Sequence, residues 1–307
     1  MIVVAGEALI DLVPAPPSPI GSPDGGLSPL LPRRGGGPYN TALALGRLGT
    51  PAAFCSRVST DGFGEALLAG LRSAGVDLSL VARGPEPTTL AVAGIGADGG
   101  AGYGFYAEGT ADRLFELPPA LPAGTDALCL GTCSLVLEPG ADAYAALLRR
   151  EAARGVFTLL DPNIRPGLIP DAAAYRARFR SWLPDVCLLK LSEEDARWLG
   201  GTPEEWLKEG PQAVVLTRGA DGLTVYAPGG ATHSVPAGEV EVADTIGAGD
   251  TVNAALLHRL SQADALSRPG LAALDAHDWR AILTFAARAA AITCSRTGAE
   301  PPLATEL

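Results

Sequence analysis

From residue 126 onward, short apolar runs alternate with helical segments at regular intervals, and this regularity most constrains what the chain can fold into. Residues 127–131 and 156–160 read as strands with a helix over 141–154 between them. Residues 186–189 and 213–216 follow as strands, separated by a helix that Ser192 caps and that runs through Leu199. Strands spaced in this way with helices between them predict an α/β fold with a doubly wound, mostly parallel sheet. Right-handed crossovers then gather the C-terminal strand ends on one side, where ligands bind. A length of 307 residues suits one large domain or two modest ones, and the reading here is one, over 1–307.

The polar clusters of the sequence fall at those strand ends. Residues 2–13 read as one strand, with Glu7, Leu9 and Asp11 on one face. Two acids on a face that begins the core predict a cleft at the strand's end. Residues 14–34, rich in Pro and Gly, read as loop or short irregular strands. Gly35-Gly36-Gly37-Pro38-Tyr39-Asn40 then leads into a helix over 41–48. Glycines before Asn let the backbone approach a polar ligand, although alone they also describe a turn and a cap. Asp61 reads as the N-cap of the next helix. Residues 88–96 and 102–107 read as a hairpin joined by Asp98-Gly99-Gly100. The formal GxGxxG match at 94–99 is therefore followed by a strand where a dinucleotide site needs a helix, which argues against a dehydrogenase.

The most informative stretch is Asp244-Thr245-Ile246-Gly247-Ala248-Gly249-Asp250-Thr251, which runs into a helix with Val252, Ala255, Leu256 and Leu260 on one face. Gly247, Ala248 and Gly249 leave their backbone amides open to an anion, and the helix start adds unpaired N–H groups and a positive dipole end. A carboxylate at the mouth of an anion hole is electrostatically awkward. Asp250 there is suited to accepting a proton from a hydroxyl that attacks a phosphoryl group, although in isolation it could simply cap the helix.

The string D-T-x-G-A-G-D-[ST] before a small-residue helix resembles the C-terminal signature of the ribokinase/PfkB family of carbohydrate kinases, with Val252 where the family usually has Phe. Gly36 to Asn40 matches the family's G-G-x-x-x-N sugar signature, and the resemblance, fructokinase-like in character, covers essentially the whole chain. It implies a ribokinase-like fold with a small β-sheet lid formed by insertions at roughly 12–34 and 88–113. It implies that Asp11, Gly36, Gly37 and Asn40 hold sugar hydroxyls, with Tyr103 and Phe105 on the lid and Asn163 and Arg165 of Asp161-Pro162-Asn163-Ile164-Arg165 beneath the sugar and phosphate. Arg165 could instead be a surface arginine turned outward by Pro166. For ATP it implies Thr217, Gly219 and Gly222, and Lys190 and Glu193 at the family's N-x-x-E position, Lys190 replacing Asn. Glu193 would support Mg²⁺ through water, or serve only as a first-turn helix acid. Asp244, the Ile246 carbonyl and Gly298 are candidates for enclosing a monovalent cation such as K⁺. Ketodeoxygluconate kinases of the family tend to carry Arg after the aromatic pair; Ala107 and then Glu108 stand here, which favours a neutral ketose.

The reading is thus an ATP-dependent sugar kinase with fructose as substrate, Asp250 as base and Gly247 to Gly249 as anion hole. A kinase for 2-keto-3-deoxygluconate or another sugar or nucleoside is the alternative within the class. A sugar-binding regulator without turnover is the alternative from another class, against which the intact Gly-Ala-Gly-Asp argues. The chain has two lysines, Lys190 and Lys208, and neither follows Gly in a Gly-rich loop, so there is no Walker A. A net charge of -11 argues against nucleic acid or an anionic membrane as partner. Five scattered cysteines without a CxxC suit a reduced chain, and an acid at Glu7 comes too soon for a signal peptide. With no long apolar run, the expected location is the cytoplasm. An exposed lid edge is compatible with a homodimer.

Overall fold

The computed structural model describes residues 1–15, 29–95 and 101–307. In chain order the strands are β1 (Ile2–Ala5), β2 (Leu9–Pro14), β3 (Leu30–Gly35), β4 (Ala52–Ser59), β5 (Val81–Gly84), β6 (Leu90–Ile95) and β7 (Ala101–Tyr106). They continue as β8 (Ala127–Gly131), β9 (Phe157–Asp161), β10 (Leu188–Ser192), β11 (Ala213–Thr217), β12 (Leu223–Tyr226) and β13 (Thr232–Val235). The helices are α1 (Gly37–Arg47), α2 (Gly62–Ser73), α3 (Gly140–Ala153), α4 (Ala172–Trp182), α5 (Glu193–Leu199), α6 (Pro203–Glu209), α7 (Ala248–Gln262), α8 (Arg268–Ala272) and α9 (Ala276–Cys294).

The large sheet has the order β13-β12-β11-β10-β9-β8-β1-β4-β5. It is parallel from β5 to β11 and antiparallel only where β12 and β13 add a hairpin at the edge. Alternation along β1 shows why the sheet is covered on both faces. Ile2 and Val4 pack with residues of α1, α2, α7 and α9, whereas Val3 and Ala5 pack with Tyr144, Leu147 and Leu148 of α3, Phe179 of α4 and Trp206 of α6. The chain leaves β1 towards β4 on one side and returns to β8 on the other. The switch point therefore lies at the C-terminal ends of β1 and β8, where a parallel sheet opens a crevice.

A second sheet of four strands, ordered β3-β2-β6-β7, projects from this end as the lid. Residues 2–13, expected as one strand, are two strands in different sheets. The break comes at Gly6, which has a φ of +150° and where any Cβ would come within 2.3 Å of Pro38 Cγ, so glycine alone is accommodated. Glu7 is then pulled inward by the turn after β8, and β2 starts afresh in the lid. The lid accordingly begins at Leu9 rather than near residue 12, and β3 is one of the short strands that the stretch 14–34 allowed, running on to Gly35. Residues 16–28, the Asp98-Gly99-Gly100 turn and the side chain of Tyr103 lie outside the described residues. The pairing of β6 with β7 is antiparallel, so a strand does follow the GxGxxG match.

Three further boundaries differ from those the residue spacing suggests. Helix α1 starts at Gly37, ahead of the expected residue 41, because Pro38 in the first turn costs no hydrogen bond there. Strand β10 runs on to Ser192, which still caps α5 with Asp195 in a capping box. Helix α9 begins three residues before Trp279, capped by an Asp275–Asp278 box that hydrophobic spacing does not reveal.

Candidate active site

A cleft of about 300 Å³ lies between the lid and the switch point, and most of the polar clusters picked out in the sequence line it. Asp11 enters from β2, Phe105 from β7, Gly36, Gly37 and Asn40 from the start of α1, and Asn163 and Arg165 from the loop after β9. The turn before α7 supplies Ile246, Gly247, Gly249 and Asp250.

That turn has the form its sequence dictates. Gly247 is the N-cap in left-handed geometry, with φ 78° and ψ -2°, and a Cβ there would come within 2.6 Å of Ala299 Cβ. Its carbonyl accepts the Thr251 N–H at 2.9 Å, so α7 is closed from its first turn while the amides ahead of it have no partner within the helix. Ala248 N–H also turns back weakly onto Thr245 O, at 3.3 Å. The site thus offers oriented N–H groups and a helix dipole to an anion in a protein whose overall charge is negative.

Asp250 is 7% exposed. Its Oδ2 accepts a hydrogen bond from Asn40 Nδ2 at 2.9 Å, which fixes the carboxyl across the gap between α7 and α1. Thr41 Oγ1 ties the same helices by donating to the Asp250 carbonyl at 3.3 Å. Burial is the main reason its pKa rises from 3.8 to about 7; the Asn40 bond opposes this, the negative charge of Asp161 adds to it, and Lys190 and Arg165 oppose it. A carboxyl that changes charge near neutrality can accept a proton and release it. Gly37 faces it closely: a Cβ there would sit 2.6 Å from Thr132 Cγ2 and 3.1 Å from Asp250 Oδ1.

Asp11 is raised to about 6, chiefly by burial, with Arg165 lowering it and Asp244 raising it. Arg165 is therefore not a surface arginine. Its Nη1 donates to Asn163 Oδ1 at 2.7 Å, and Asn163 holds a positive φ of 38° that an asparagine tolerates better than most residues.

A second, apolar groove of about 500 Å³ adjoins the cleft at Thr245 and Gly249. Thr217, Gly219 and Gly222 line one side, and Ala287, Ala290 and Ala291 of α9 the other. Small side chains on both walls leave a flat slot that fits a nucleoside, whose phosphates would then point at the turn before α7. Glu193 is half-exposed and lies 3.2 Å from Arg218 Nε. Among the described residues no three metal-ligating side chains gather to hold a metal ion. Asp244 closes its own loop, accepting from Ile246 N at 3.1 Å and Gly298 N at 2.9 Å, so the three residues picked out for a cation do lie together. Lys190, by contrast, sits beneath the Gly249 turn in a buried ion pair with Asp161.

Sequence reasoning gave no site role to several residues found here. Glu7 is buried and accepts from Ser134 N at 3.0 Å and from the hydroxyls of Thr132 and Ser134. Burial pushes its carboxyl up. Thr132, with φ 61°, and Cys133 complete the floor of the cleft. Their signal was positional: they follow β8, the strand beside the switch point, but no motif marked them. Asp161 and Asn253 were visible only as parts of larger strings. Among the described residues no helix is long and apolar enough to cross a membrane.

Comparison with known proteins agrees with this geometry. The profile of pfkB family carbohydrate kinases matches residues 1–306. A fructokinase of Rhizobium leguminosarum bv. trifolii is 40% identical over 283 residues, covering 90% of this chain and 84% of that relative. The crystal structure of a fructokinase with bound ATP from Xylella fastidiosa superposes with a TM-score of 0.85 at 28% identity, covering 97% of this chain and 93% of that one. A fructokinase from Vibrio cholerae O395 in fructose, ADP and calcium ion bound form gives 0.78 at 26% identity, covering 97% and 94%. With a buried acid at the helix start, a lid over it and a family match from end to end, this chain belongs to the pfkB family of carbohydrate kinases and is an ATP-dependent carbohydrate kinase.

Proposed function

We propose that the chain transfers the γ-phosphoryl group of ATP to a primary hydroxyl of fructose. The observation that carries this reading is Asp250, buried, held by Asn40 and set at the start of α7 beside the Gly247–Gly249 turn. Asp11, Gly36, Gly37 and Asn40 orient the sugar, and Phe105 closes over it from the lid. Asp250 takes the proton of the attacking hydroxyl, and its pKa near 7 allows it to lose that proton again before the next turnover. The amides of Gly247, Ala248 and Gly249 point at the charge that spreads over the transferred oxygens. Thr217, Gly219 and Gly222 hold the nucleotide, Lys190 supports the turn from beneath, and Asp244, Ile246 and Gly298 brace it, with K⁺ as the cation their loop would take. Glu193 would hold Mg²⁺ through water beside the nucleotide phosphates, and the ion would supply neutralisation of the phosphate charge when bound.

Fructose is favoured over a sugar acid by the charge in the cleft. Arg165, whose charge lowers the pKa of the Asp11 carboxyl, already donates to Asn163 Oδ1 at 2.7 Å and to the Ile164 carbonyl at 3.1 Å, and Ala107 is buried with its carbonyl accepting from Thr110 Oγ1 at 2.9 Å and Arg113 Nη1 at 3.2 Å. A carboxylate substrate would find its cation there already engaged. The relatives named as fructokinases support the same choice. The half-exposed Leu30 on edge strand β3 and the exposed Tyr106 on β7 suit pairing with a second copy through the lid, as light scattering would report.

The decisive assay measures ADP release with Mg²⁺-ATP against fructose, ribose, ketodeoxygluconate and adenosine. Turnover on fructose alone is expected. Turnover on the keto acid in preference to fructose would overturn the specificity argument from Arg165 and Ala107.

A further inference from the structure

Behind Asp250, away from the cleft, lies a buried set of polar side chains that the reaction above leaves almost unused. Lys190 Nζ and Asp161 Oδ2 are 2.8 Å apart, with side chains 5% and 3% exposed. Asn253, one turn beyond Asp250 on α7, donates its Nδ2 to the same Asp161 oxygen at 2.7 Å. The ammonium lies directly under the phosphate-facing turn, since a Cβ on Gly249 would meet Lys190 Nζ at 2.9 Å. A small cavity of about 10 Å³ separates Asp161 from Asp250, bounded also by Thr41, Thr132 and Asn253. That is the size of a single water. Asp161 Oδ1 and Asn253 Oδ1 are buried, and neither has a hydrogen-bond partner among the described residues.

A buried ion pair adds little to stability, because desolvation consumes most of the attraction. A pair placed under the reacting centre has another use. We propose that Asp161 and Lys190 are positioning residues for phosphoryl transfer, clamping the first turns of α7 through Asn253 and setting the electric field in which Asp250 takes up its proton. The proposal rests on the reading of Asp250 as the base.

The charged groups facing Asp250 are Asp161 at the end of β9, Lys190 in β10 and Arg165 in the loop after β9; Asn40 and Asn253 face it from α1 and α7 as neutral groups, and Cys129 faces it from β8 with its thiol pushed up by burial. Asp195, on α5, adds its field to Lys190. Asp161 makes ionisation of Asp250 harder, and Lys190 makes it easier. Asp161→Asn should therefore move the Asp250 midpoint down, and Lys190→Gln should move it up. The double variant, which replaces both charges with neutral amides, should bring it back towards that of the wild type.

Two readouts on the full chain test this. One is the carboxyl titration of Asp250 by ¹³C NMR, assigned by its loss in Asp250→Asn. The other is kcat/KM for fructose against pH. Midpoints displaced in opposite directions, by about one pH unit or tenfold in kcat/KM at pH 6, and recovered in the double variant, would support the proposal. Slower turnover at every pH with an unmoved midpoint would mean the pair is merely structural and would overturn it. If Asp161→Asn folds poorly, Lys190→Gln alone decides, because its midpoint must rise. If the wild type phosphorylates none of the sugars, the functional reading fails, while the carboxyl titration still judges the pair.

Discussion

Asp250→Asn should make the protein inactive and more stable at once, and the second effect can be sized from the structure. Burial raises the Asp250 pKa from 3.8 to about 7 in the folded chain, while in the unfolded chain the group ionises near its ordinary value. Between those two pH values the folded state holds a proton that the unfolded state has released, so stability falls as pH rises through this window. At about 1.4 kcal/mol for each tenfold, the full cost above pH 7 is roughly 4 kcal/mol, an upper figure because local relaxation absorbs part of it. Asn has nearly the same shape, can still accept from Asn40 Nδ2, and carries no charge to bury. With an unfolding entropy of about 2 cal/mol/K per residue, a gain of 2–4 kcal/mol in a chain of this length raises Tm by roughly 3–6 °C. The gain should be present at pH 8 and shrink to nothing near pH 4. Loss of proton transfer should meanwhile lower kcat by on the order of 10²–10⁴-fold, with little change in KM. Differential scanning calorimetry at the two pH values and steady-state ADP release measure both. A variant that keeps wild-type turnover would falsify the role of Asp250 as base. A Tm difference that does not grow with pH would refute the argument from buried charge.

The same ionisation predicts a pH–rate profile in which kcat/KM for fructose rises with pH to a plateau, with a midpoint near 7, because Asp250 must be ionised to act; a profile flat from pH 5 to 8 would contradict it. Gly37→Ala should cut kcat/KM by tenfold or more, since its Cβ would press on Thr132 and Asp250 at 2.6 and 3.1 Å, and unchanged kinetics would show that the cleft floor yields freely. Gly247→Ala must adopt a left-handed conformation and meet Ala299 at 2.6 Å. A cost of about 1–2 kcal/mol and weakened ATP binding are expected, measured by urea unfolding and isothermal calorimetry, and wild-type affinity would count against the turn as phosphate site.

The architecture was readable because a parallel sheet imposes redundancy. Along residues 127–216 apolar strand runs alternate with helical segments again and again, so an error of a residue or two in any one leaves the topology unchanged. The beginning of the chain has no such redundancy. Nothing in the composition of residues 2–13 distinguishes one long strand from two short ones in different sheets; the division is imposed at Gly6 by Pro38 and at Glu7 by Ser134, partners 32 and 127 residues away. Caps are legible for the opposite reason. Asp61 and Ser192 could be picked out because each bonds to a backbone amide three residues on, a local event that sequence spacing encodes.

The site divides along the same line. Residues proposed to meet the ligand through their own backbone or a first-turn side chain, such as Gly247 and Asp250, sit in compact strings and could be identified there. The groups that set the properties of Asp250 come from β9, β10 and α1, scattered over more than 200 residues of chain, and only the fold brings them together. Lys190 shows the consequence. In the sequence it stands at a position that the family resemblance associates with nucleotide, with lysine replacing asparagine. In the structure its ammonium is buried under Gly249 and bonded to Asp161, so any influence on phosphate passes through the turn above it. A motif specifies which strand end a residue occupies; whether its side chain then faces the ligand or supports the residues that do depends on the strands packed on either side.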